Sequence, residues 1–479
     1  MPSDTAAGAE THVRGLERLL QPLESVALDA TPGTEPASWL SAGDWRMFAS
    51  PRSRMDAALF SSVEIERFQL ENGLSLGAYQ RPDGRVYVPF DLEEAYSNYV
   101  TEACSHGGDV RKLSEGQLKL YYRLKGLLPR EFWLTLRRLF IRLGNPPSFP
   151  SWPFDRSVDR LLRFYALCLL LELDQTEAFF SWFWPGTHQA ALVLSHDVES
   201  AAGLRLALEL ADLEEERGFR SSFNIVGAQY EIDMRIVHEL QGRGFEIGLH
   251  GLQHDRSLFS SRAEFERQLP GLAQAAKALG AQGFRSPATH RVLDWLEELP
   301  VDYDCTVPHS DPYEPQPGGC CSLWPFMLGR IVELPYTMPQ DHTLFTLLRR
   351  RSVSPWLEQA KAIEQRFGLI QVLSHPDRGY LGDTDKREFY VELLDALSER
   401  EQLWKALPRE VASWWRQREN GETRTAAEQL TGTIRRPDEP GDDYVLIEPP
   451  SETAPAPSFR RQADVSVPVL AQPQTADEN

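Results

Sequence analysis

The sequence predicts an α/β protein centred on a distorted (β/α) barrel of seven or eight parallel strands. From residue 189 onwards, short apolar stretches alternate with amphipathic helical stretches, a pattern typical of repeated β–α units and a parallel sheet. Seven or eight such units are enough to close a barrel, in which the loops after the strands carry the chemistry. An open doubly wound sheet is the alternative, although no GxGxxG follows the first strand to indicate a dinucleotide site.

Each element of the barrel is predicted from its own stretch of sequence. The apolar stretches predict strands at 189–197, 220–226, 244–249, 282–286, 301–306, 331–337, 369–374 and, shorter, 402–407. The amphipathic stretches predict helices at 202–217, 231–243, 261–279, 290–299, 355–367, 385–400 and 408–419. A long loop, 307–329, separates the fifth and sixth strands, and loops of this length are usually functional or disordered.

The rest of the chain divides into three further segments. Residues 37–188 predict an α-rich N-terminal domain with a small β element, because hairpin signals at 63–89 precede helical patterns at 90–101, 116–143 and 157–173. Composition predicts that residues 1–36 form a flexible leader. Residues 420–479 are predicted to be a Pro-rich disordered tail, apart from a short strand at 444–447. The barrel itself is assigned to residues 189–419.

Charge and composition exclude several classes of function. The chain has 479 residues with 50 Lys and Arg against 70 Asp and Glu, a formal net charge of −20, so we expect no binding to nucleic acid. The start lacks the pattern of an export signal and no apolar run approaches the roughly 20 residues that span a bilayer, which predicts a cytoplasmic protein. Five scattered cysteines predict free thiols. The basic stretch at 116–143 allows membrane-surface contact, but a solvated helix face is favoured.

The first predicted strand delivers two carboxylates to its end. Residues 192–199 run from apolar, β-branched positions into His196, Asp197 and Glu199. Because side chains alternate along a strand, Asp197 and Glu199 lie on one face and Val198 on the other. Two close carboxylates cannot both stay ionised without compensation, so they either share a proton or bind a cation.

Two histidines follow the third predicted strand at a metal-ligand spacing. His250 comes directly after the strand and His254 four residues later, so a helical turn would place both on one face. Together with one carboxylate from the first strand they would form an N,N,O ligand set suited to zinc and related divalent ions. Two unrelated surface histidines are the alternative.

Two further strand ends carry single polar residues. Arg285, held by the following Pro287, is placed to pair with Asp197 and keep it ionised, although an isolated arginine is more often at the surface. His375 ends the strand at 369–374 and precedes Pro376. A lone histidine in this position is more often structural, but here it belongs to a series.

The series resembles the motifs of the polysaccharide deacetylases, the NodB homology group, which are similar to carbohydrate esterase family 4. The motifs occur in the order Asp197-x-Glu199, His250-x-x-x-His254, Arg285-x-Pro287 and His375-Pro376 over residues 189–419, about half the chain. The resemblance implies a distorted (β/α) barrel, a divalent metal that is commonly zinc, and removal of acetyl groups from N-acetylated sugars.

Carried over position by position, the resemblance assigns roles to six residues. It implies metal ligation by Glu199, His250 and His254. It implies a catalytic set of Asp197 as general base, Arg285 orienting that base, and His375 as general acid. The usual first motif has two consecutive aspartates followed by glycine, whereas here Val198 takes the second position and Glu199 is the nearby acid.

The long loop offers candidates for substrate contact. Flat aromatic rings can stack on a sugar face, which makes Trp324 and Tyr313 candidates, with Pro287 of the arginine motif as a third. The alternative is that the aromatic residues pack the loop down onto the protein.

The sequence therefore predicts a metal-dependent hydrolase that removes N-acetyl groups from a carbohydrate. The same groups acting on a non-sugar C–N amide bond are one alternative, and a catalytically silent carbohydrate-binding scaffold is another. The absence of an export signal favours an intracellular glycan precursor over finished wall polymer. The sequence indicates no oligomeric state.

Overall fold

The computed structural model describes residues 16–22, 28, 33, 35–52, 61–106, 130–143, 149–421, 430–437, 441 and 443–450. The predictions for the rest of the leader at 1–36, for helix at 116–129 and for the tail beyond 450 lie outside these residues. Within the described residues, no helix is both long and apolar enough to cross a membrane. All five cysteines are buried, and none of them forms a disulfide among the described residues.

An antiparallel sheet and several helices form the N-terminal part of the chain. The sheet has the order β2-β1-β3-β4-β5. Its strands are β1 (Ser38–Ala42), β2 (Trp45–Ala49), β3 (Val63–Leu70), β4 (Ser75–Gln80) and β5 (Val86–Tyr87). The helices are α1 (Leu16–Leu20), α2 (Leu92–Val100), α3 (Arg130–Leu143) and α4 (Ser157–Glu172), with a 3₁₀ turn at Ala103–His106. A further strand, β6 (Glu177–Ser181), leads into the barrel.

The parallel sheet predicted from residue 189 onwards is present. Its strands are β7 (Ala190–Val198), β8 (Ser222–Ile225), β9 (Glu246–Leu249), β10 (Gly283–Phe284), β11 (Tyr303–Asp304), β12 (Phe326–Leu328), β13 (Ile331–Glu333), β14 (Leu369–Ser374) and β15 (Leu403–Lys405). The main order is β12-β13-β11-β10-β9-β8-β7-β14, and β15 also pairs with β7. All pairs are parallel except β12 with β13.

Helices cover the outside of this sheet. They are α5 (Ala201–Glu215), α6 (Met234–Gly242), α7 (Arg262–Leu279), α8 (Leu293–Leu296), α9 (Ser354–Glu364), α10 (Thr384–Ser398) and α11 (Pro408–Asn420). A short 3₁₀ turn lies at Pro287–Thr289 and a π-helical turn at His342–Leu347. The ends of α7 show how the sequence sets such bounds: Ser261 caps it by accepting from Glu264 N, and Gly280 ends it at a φ of +65°.

The sheet curls into a barrel that no strand ladder closes among the described residues. The end strands of this order are β12 and β14, and the chain after β13 runs irregularly beside β14. Met338 N donates to Gln371 O at 3.2 Å, and Thr337 Oγ1 donates to Leu369 O at 2.6 Å. The predicted order of strands and helices is confirmed except for β12, an antiparallel strand that was not predicted and lies within the predicted loop 307–329. An irregular segment lies beside β14 in place of a further strand.

The N-terminal part contains more sheet than predicted. The hairpin signals at 63–89 correspond to β3, β4 and β5, but the sequence analysis missed the β1–β2 hairpin. Trp45, Met47 and Ala49 alternate inward on β2, and Gly43 makes the turn at a φ of +60°. Alternation of this kind on either side of a glycine is a strand signal, but five-residue strands give too short a pattern to stand out.

The described residues of the predicted leader and tail hold more regular structure than was predicted, although the strand predicted at 444–447 is present as Leu446–Glu448. Leu16, Leu19 and Leu20 of α1 are buried, and Arg418 Nη2 donates to Leu19 O at 2.8 Å. In the predicted tail, β16 (Thr431–Arg435) and β17 (Leu446–Glu448) extend β6 into a three-stranded antiparallel sheet. Composition misjudged both segments because their few apolar residues find a partner only in the folded protein.

Arg418 provides a test of this tertiary anchoring. Its buried guanidinium donates to the carbonyls of Leu19, Ser181 and Trp182 at 2.8 to 3.2 Å. We expect Arg418→Ala to lower the free energy of unfolding by about 3 kcal/mol, because hydrogen bonds to charged groups are strong and buried carbonyls would lose their donor. Arg416→Ala, whose half-buried side chain donates to Asp302 O, should cost less than about 1 kcal/mol. Urea unfolding of both variants measures the difference, and equal losses would contradict it.

Candidate active site

The predicted site residues meet at one edge of the barrel. Asp197 lies at the end of β7, and His250, Arg285 and His375 directly follow β9, β10 and β14. Because these strands are parallel, their carboxyl ends share one edge of the sheet. Glu199 follows β7 on the same face as Asp197, as alternation predicts.

Asp197 is buried and held from two sides. Asn224 Nδ2, on β8, donates to Asp197 Oδ1 at 2.9 Å, and Arg285 Nη1 donates to the same oxygen at 3.4 Å. Burial alone would raise the pKa of the Asp197 carboxyl, but the neighbouring His250, Arg285 and His375 lower it below its usual value. Asp197 is therefore an ionised carboxylate in a fixed orientation.

Arg285 is itself fully buried and anchored by the strands around it. Its Nε donates to Cys305 O at 2.8 Å and its Nη1 to Ser195 Oγ at 3.0 Å. The predicted pairing with Asp197 is present, and the alternative of a surface arginine is wrong. A buried guanidinium needs such partners because an unpaired charge in the protein interior is very costly.

Glu199 and the two histidines lie close together. Glu199 Oε1 lies 3.1 Å from His254 Nε2, and the rings of His250 and His254 have centroids 5.2 Å apart. His250 Nδ1 donates to Arg285 O at 2.9 Å, which places its proton on Nδ1 because a carbonyl only accepts. Burial lowers the pKa of His250 to about 4, so the ring is neutral near pH 7.

The donor set fits a divalent metal, although the side chains do not already surround one. In the described part of the chain, no three His, Cys, Asp or Glu side chains stand close enough to hold a metal ion. His250 Nε2, however, is buried without a hydrogen-bond partner among the described residues, and its nearest acidic atom is Asp197 Oδ2 at 3.8 Å. A neutral histidine that donates one ring N–H to a carbonyl and leaves the other nitrogen bare is typical of a metal ligand.

His375 lies across from these groups and is backed by a residue that the sequence analysis missed. Its Nδ1 donates to Asp341 Oδ1 at 2.8 Å, and its Nε2 lies 3.8 Å from Glu199 Oε1. Burial opposes the charged form, but attraction to Asp341 and then to Glu199 outweighs it and raises the pKa of His375 to about 10. Tyr380 stacks on the imidazole with ring centroids 4.6 Å apart. His375 is therefore held as a proton donor.

Sequence patterns alone carried only weak signals for the missed residues. Asn224 interrupts the apolar residues Phe223 and Ile225 within a strand, and the strand register places it opposite Asp197. Asp341 follows a predicted strand end, like the residues that were found, but an irregular segment separates it from β13. Neither position belongs to a recognisable motif.

The turn after Arg285 is strained. Ala288 and Thr289 adopt φ values of +49° and +51°, in the left-handed region that non-glycine residues rarely enter. Pro287 packs against Gly251, where an added Cβ would lie 3.0 Å from Pro287 Cγ. Backbone strain of this kind persists only where the surrounding structure imposes it, and it clusters at functional sites.

Two of the three candidates for substrate contact serve packing instead. Trp324 is fully buried, donates from Nε1 to Phe367 O at 3.0 Å and packs on Phe183, so its predicted role against a sugar is wrong. Pro287 is buried against Gly251. Tyr313 is half-buried and packs edge-on against Trp152, with ring centroids 4.9 Å apart. The loop is packed down because its aromatic surface finds aromatic partners elsewhere in the chain.

Comparison with known proteins gives similarity in structure only. No family model matches the chain, and no curated protein matches it. Several solved structures are similar to it. They include polysaccharide deacetylases and family 4 carbohydrate esterases.

Three of these structures span about half of this chain. A protein from Mycobacterium smegmatis assigned as a polysaccharide deacetylase is 17% identical, with 49% of this chain and 92% of that chain covered and a TM-score of 0.40. Puue allantoinase is 14% identical, with 48% of this chain and 92% of that chain covered and a TM-score of 0.38. A protein from Pseudomonas aeruginosa PAO1, also assigned as a polysaccharide deacetylase, is 13% identical. The match covers 48% of this chain and 92% of that chain, with a TM-score of 0.37.

Asp311, in the long loop, gives the protein a pH-dependent stability. It is buried, and Tyr336 Oη and Gln340 Nε2 donate to its Oδ2 at 3.2 Å. Burial, with repulsion from Glu314, raises the pKa of Asp311 to about 7. The folded state therefore binds a proton that the unfolded state releases near pH 4, and this contribution to stability is lost as pH rises from about 4 to 7.

We expect Asp311→Asn to stabilise the protein at pH 8 by about 2 kcal/mol or more, with little gain at pH 4.5, because the amide has no charge to bury and its oxygen still accepts from Tyr313 N. Urea unfolding of wild type and variant at the two pH values measures this. A difference that does not change with pH would show that Asp311 is ionised in the folded protein throughout this range.

Proposed function

We propose that the protein is a divalent-metal-dependent hydrolase that removes N-acetyl groups from a carbohydrate. The observation that carries the proposal is the bare, buried Nε2 of His250 beside the Glu199–His254 pair, with an oriented carboxylate on one side and a protonated histidine on the other. A site that had lost its function would not be expected to keep these groups close together and oriented towards one another.

Glu199, His250 and His254 would hold the metal ion. The set of two imidazoles and one carboxylate is one that zinc and related ions accept with room left for water and substrate. When bound, a divalent ion supplies Lewis acidity, which polarises an amide carbonyl and lowers the pKa of water. The extra methylene of Glu199 is accommodated, since its carboxylate reaches His254 at 3.1 Å from one position beyond the usual one.

Asp197 is the proposed general base. Its ionised carboxylate accepts the proton of the attacking water, and its fixed orientation matters because a base must lie within hydrogen-bond reach of the proton it takes. Arg285 and Asn224 are positioning residues, because both bind Oδ1 and leave Oδ2 directed towards His250.

His375 is the proposed general acid. An amine leaves as a neutral molecule only if its nitrogen is protonated, and the Nε2–H of a charged His375 can supply that proton. Asp341 keeps the imidazole charged and oriented from the Nδ1 side. The proposed base and acid thus come from two neighbouring strands, β7 and β14, at the same edge of the sheet.

The carbohydrate class of the substrate comes from the motif resemblance. The polysaccharide deacetylase motifs run in the family's order over the barrel, and the similar solved structures include enzymes named for polysaccharide and peptidoglycan deacetylation. A chain with a formal charge of −20 suits a neutral sugar better than a polyanion.

Metal content tests the ligand set without a guess about substrate. We expect wild type to bind about one equivalent of zinc, and His250→Ala and Glu199→Ala to lose affinity by more than the roughly 10–100-fold that an outer partner is worth. His238→Ala, on the exposed side of α6, serves as the matched control and should bind normally. Elemental analysis measures the zinc content, and chelator competition measures the zinc affinity. Zinc retained in Glu199→Ala alone would show that another carboxylate is the ligand.

Asp341 tests the proposed acid separately from the metal. We expect Asp341→Asn to lower kcat for acetate release from N-acetylated sugars on the order of 10–100-fold, part of the roughly 10²–10⁴-fold that acid–base catalysis contributes. Zinc affinity should stay within about twofold of wild type, because Asp341 touches none of the proposed ligands. Steady-state kinetics against acetylated oligosaccharides, with chelator competition in parallel, make this measurement. Full activity in the variant would show that proton donation by His375 does not depend on Asp341.

A further inference from the structure

The loop after β14 carries a buried carboxylate to which the proposed mechanism gives no role. Asp377 lies two residues after His375 and is 6% exposed. Its Oδ2 accepts from Glu199 N at 3.0 Å, and its Oδ1 accepts from Ser200 Oγ. Both partners belong to the junction between β7 and α5. Asp377 therefore joins the loop that carries His375 to the loop that carries Glu199.

The strand register explains why a side chain is needed at this point. The ladder between β7 and β14 pairs Ser374 with His196 and goes no further. Counting onward in the same register brings Asp377 opposite Glu199, but Pro376 lies between and has no N–H to continue the ladder. The Asp377 carboxylate takes over as the acceptor for the Glu199 N–H beyond the last strand pair.

The surroundings of Asp377 are shaped to hold it. Ser200 Oγ also accepts from Gly203 N at 3.0 Å and so caps α5. A Cβ added at Gly203 would overlap the Asp377 carboxylate, so glycine is needed there for the carboxylate to fit. The Ser200 cap, Gly203 and the Asp377 carboxylate therefore pack together next to Glu199.

We propose that Asp377 is a positioning residue that fixes the backbone of Glu199 and thereby aims its carboxylate at His254 and the proposed metal position. This inference rests on the proposed function and deepens it. The backbone of Glu199 sets the direction in which its side chain leaves the chain. Three side-chain torsions then determine whether the carboxylate reaches His254. Anchoring of the N–H at 3.0 Å removes the backbone part of that freedom.

The anchor also links the metal position to the general acid. Asp377 and His375 share one short turn, in which Leu381 N donates to His375 O and both Tyr380 N and Gly382 N donate to Asp377 O. A shift of this turn therefore moves His375 and Glu199 together. Outer partners of this kind typically change metal affinity by about 10–100-fold when they are lost.

The test compares zinc affinity in three single variants by competition with a chromophoric chelator. We expect Asp377→Ala to weaken zinc binding about 10–100-fold, and Asp377→Asn to weaken it less because the amide oxygen still accepts from Glu199 N. Asp383→Ala is the matched control: its Oδ2 accepts from Gly379 N at 3.0 Å in the same loop, but its bonds do not reach β7. It should bind zinc within about twofold of wild type.

A double variant separates positioning from loss of fold. Gly203→Ala should weaken zinc binding in wild type, because the new Cβ displaces the Asp377 carboxylate, but should have little further effect when Asp377 is already alanine. The visible spectrum of the cobalt-substituted protein should change in Asp377→Ala and not in Asp383→Ala, and circular dichroism should show that all variants are folded.

The outcomes are distinct. Wild-type zinc affinity in folded Asp377→Ala would overturn the inference and leave the proposed function standing. Equal losses in Asp377→Ala and Asp383→Ala, or additive effects of Gly203→Ala and Asp377→Ala, would show that general loosening of the loop is the cause and would also overturn it. A wild-type protein that binds no zinc would overturn the proposed function first.

Discussion

The buried guanidinium of Arg285 is the constraint on which the site depends. A charge in the protein interior must be paired and fully hydrogen-bonded, and Arg285 meets this demand by drawing partners from several strands at one level of the barrel. It donates to Ser195 Oγ and Asp197 Oδ1 on β7 and to Cys305 O after β11. The Gln371 amide on β14, oriented with its oxygen inward, accepts from Nη2 at 2.8 Å. One side chain therefore joins two strand pairs, β10–β11 and β7–β14, that are not neighbours in the sheet.

The orientation of the site follows from this single anchor. The Arg285 side chain holds Asp197, and its main-chain carbonyl accepts from His250 Nδ1 and so leaves Nε2 bare. A single residue thus sets the charge and direction of the proposed base and the tautomer of a proposed ligand. Asp341 likewise sets the charge and the orientation of His375. Between these two anchors lies Glu199, 3.1 Å from His254 and 3.8 Å from His375, and it is the residue in which the sequence departs from the usual motif.

The barrel could be predicted from sequence because its signals are local. Residues 190–194 are all apolar and residues 369–373 are apolar apart from Gln371. Both runs end in polar residues, and they pair with each other in the sheet. The four motifs then placed Asp197, Glu199, His250, His254, Arg285 and His375 at one edge. Asn224, Asp341 and Asp377 were missed because their roles are defined by register and by loop geometry, which a single sequence does not display. Trp324 was misassigned because an aromatic residue in a loop looks the same whether it faces solvent or the core.

The pairing of β6 with β16 has a consequence for any shortened form of the protein. The barrel pattern ends with α11, so residue 421 is an obvious place to stop the chain. Stopping there would remove β16 and β17 and expose the edge of β6, where Ala178 and Phe180 are buried beneath the sheet. An unpaired edge with apolar side chains invites pairing with other chains. A protein cut after α11 would therefore be prone to self-association through the exposed edge of β6.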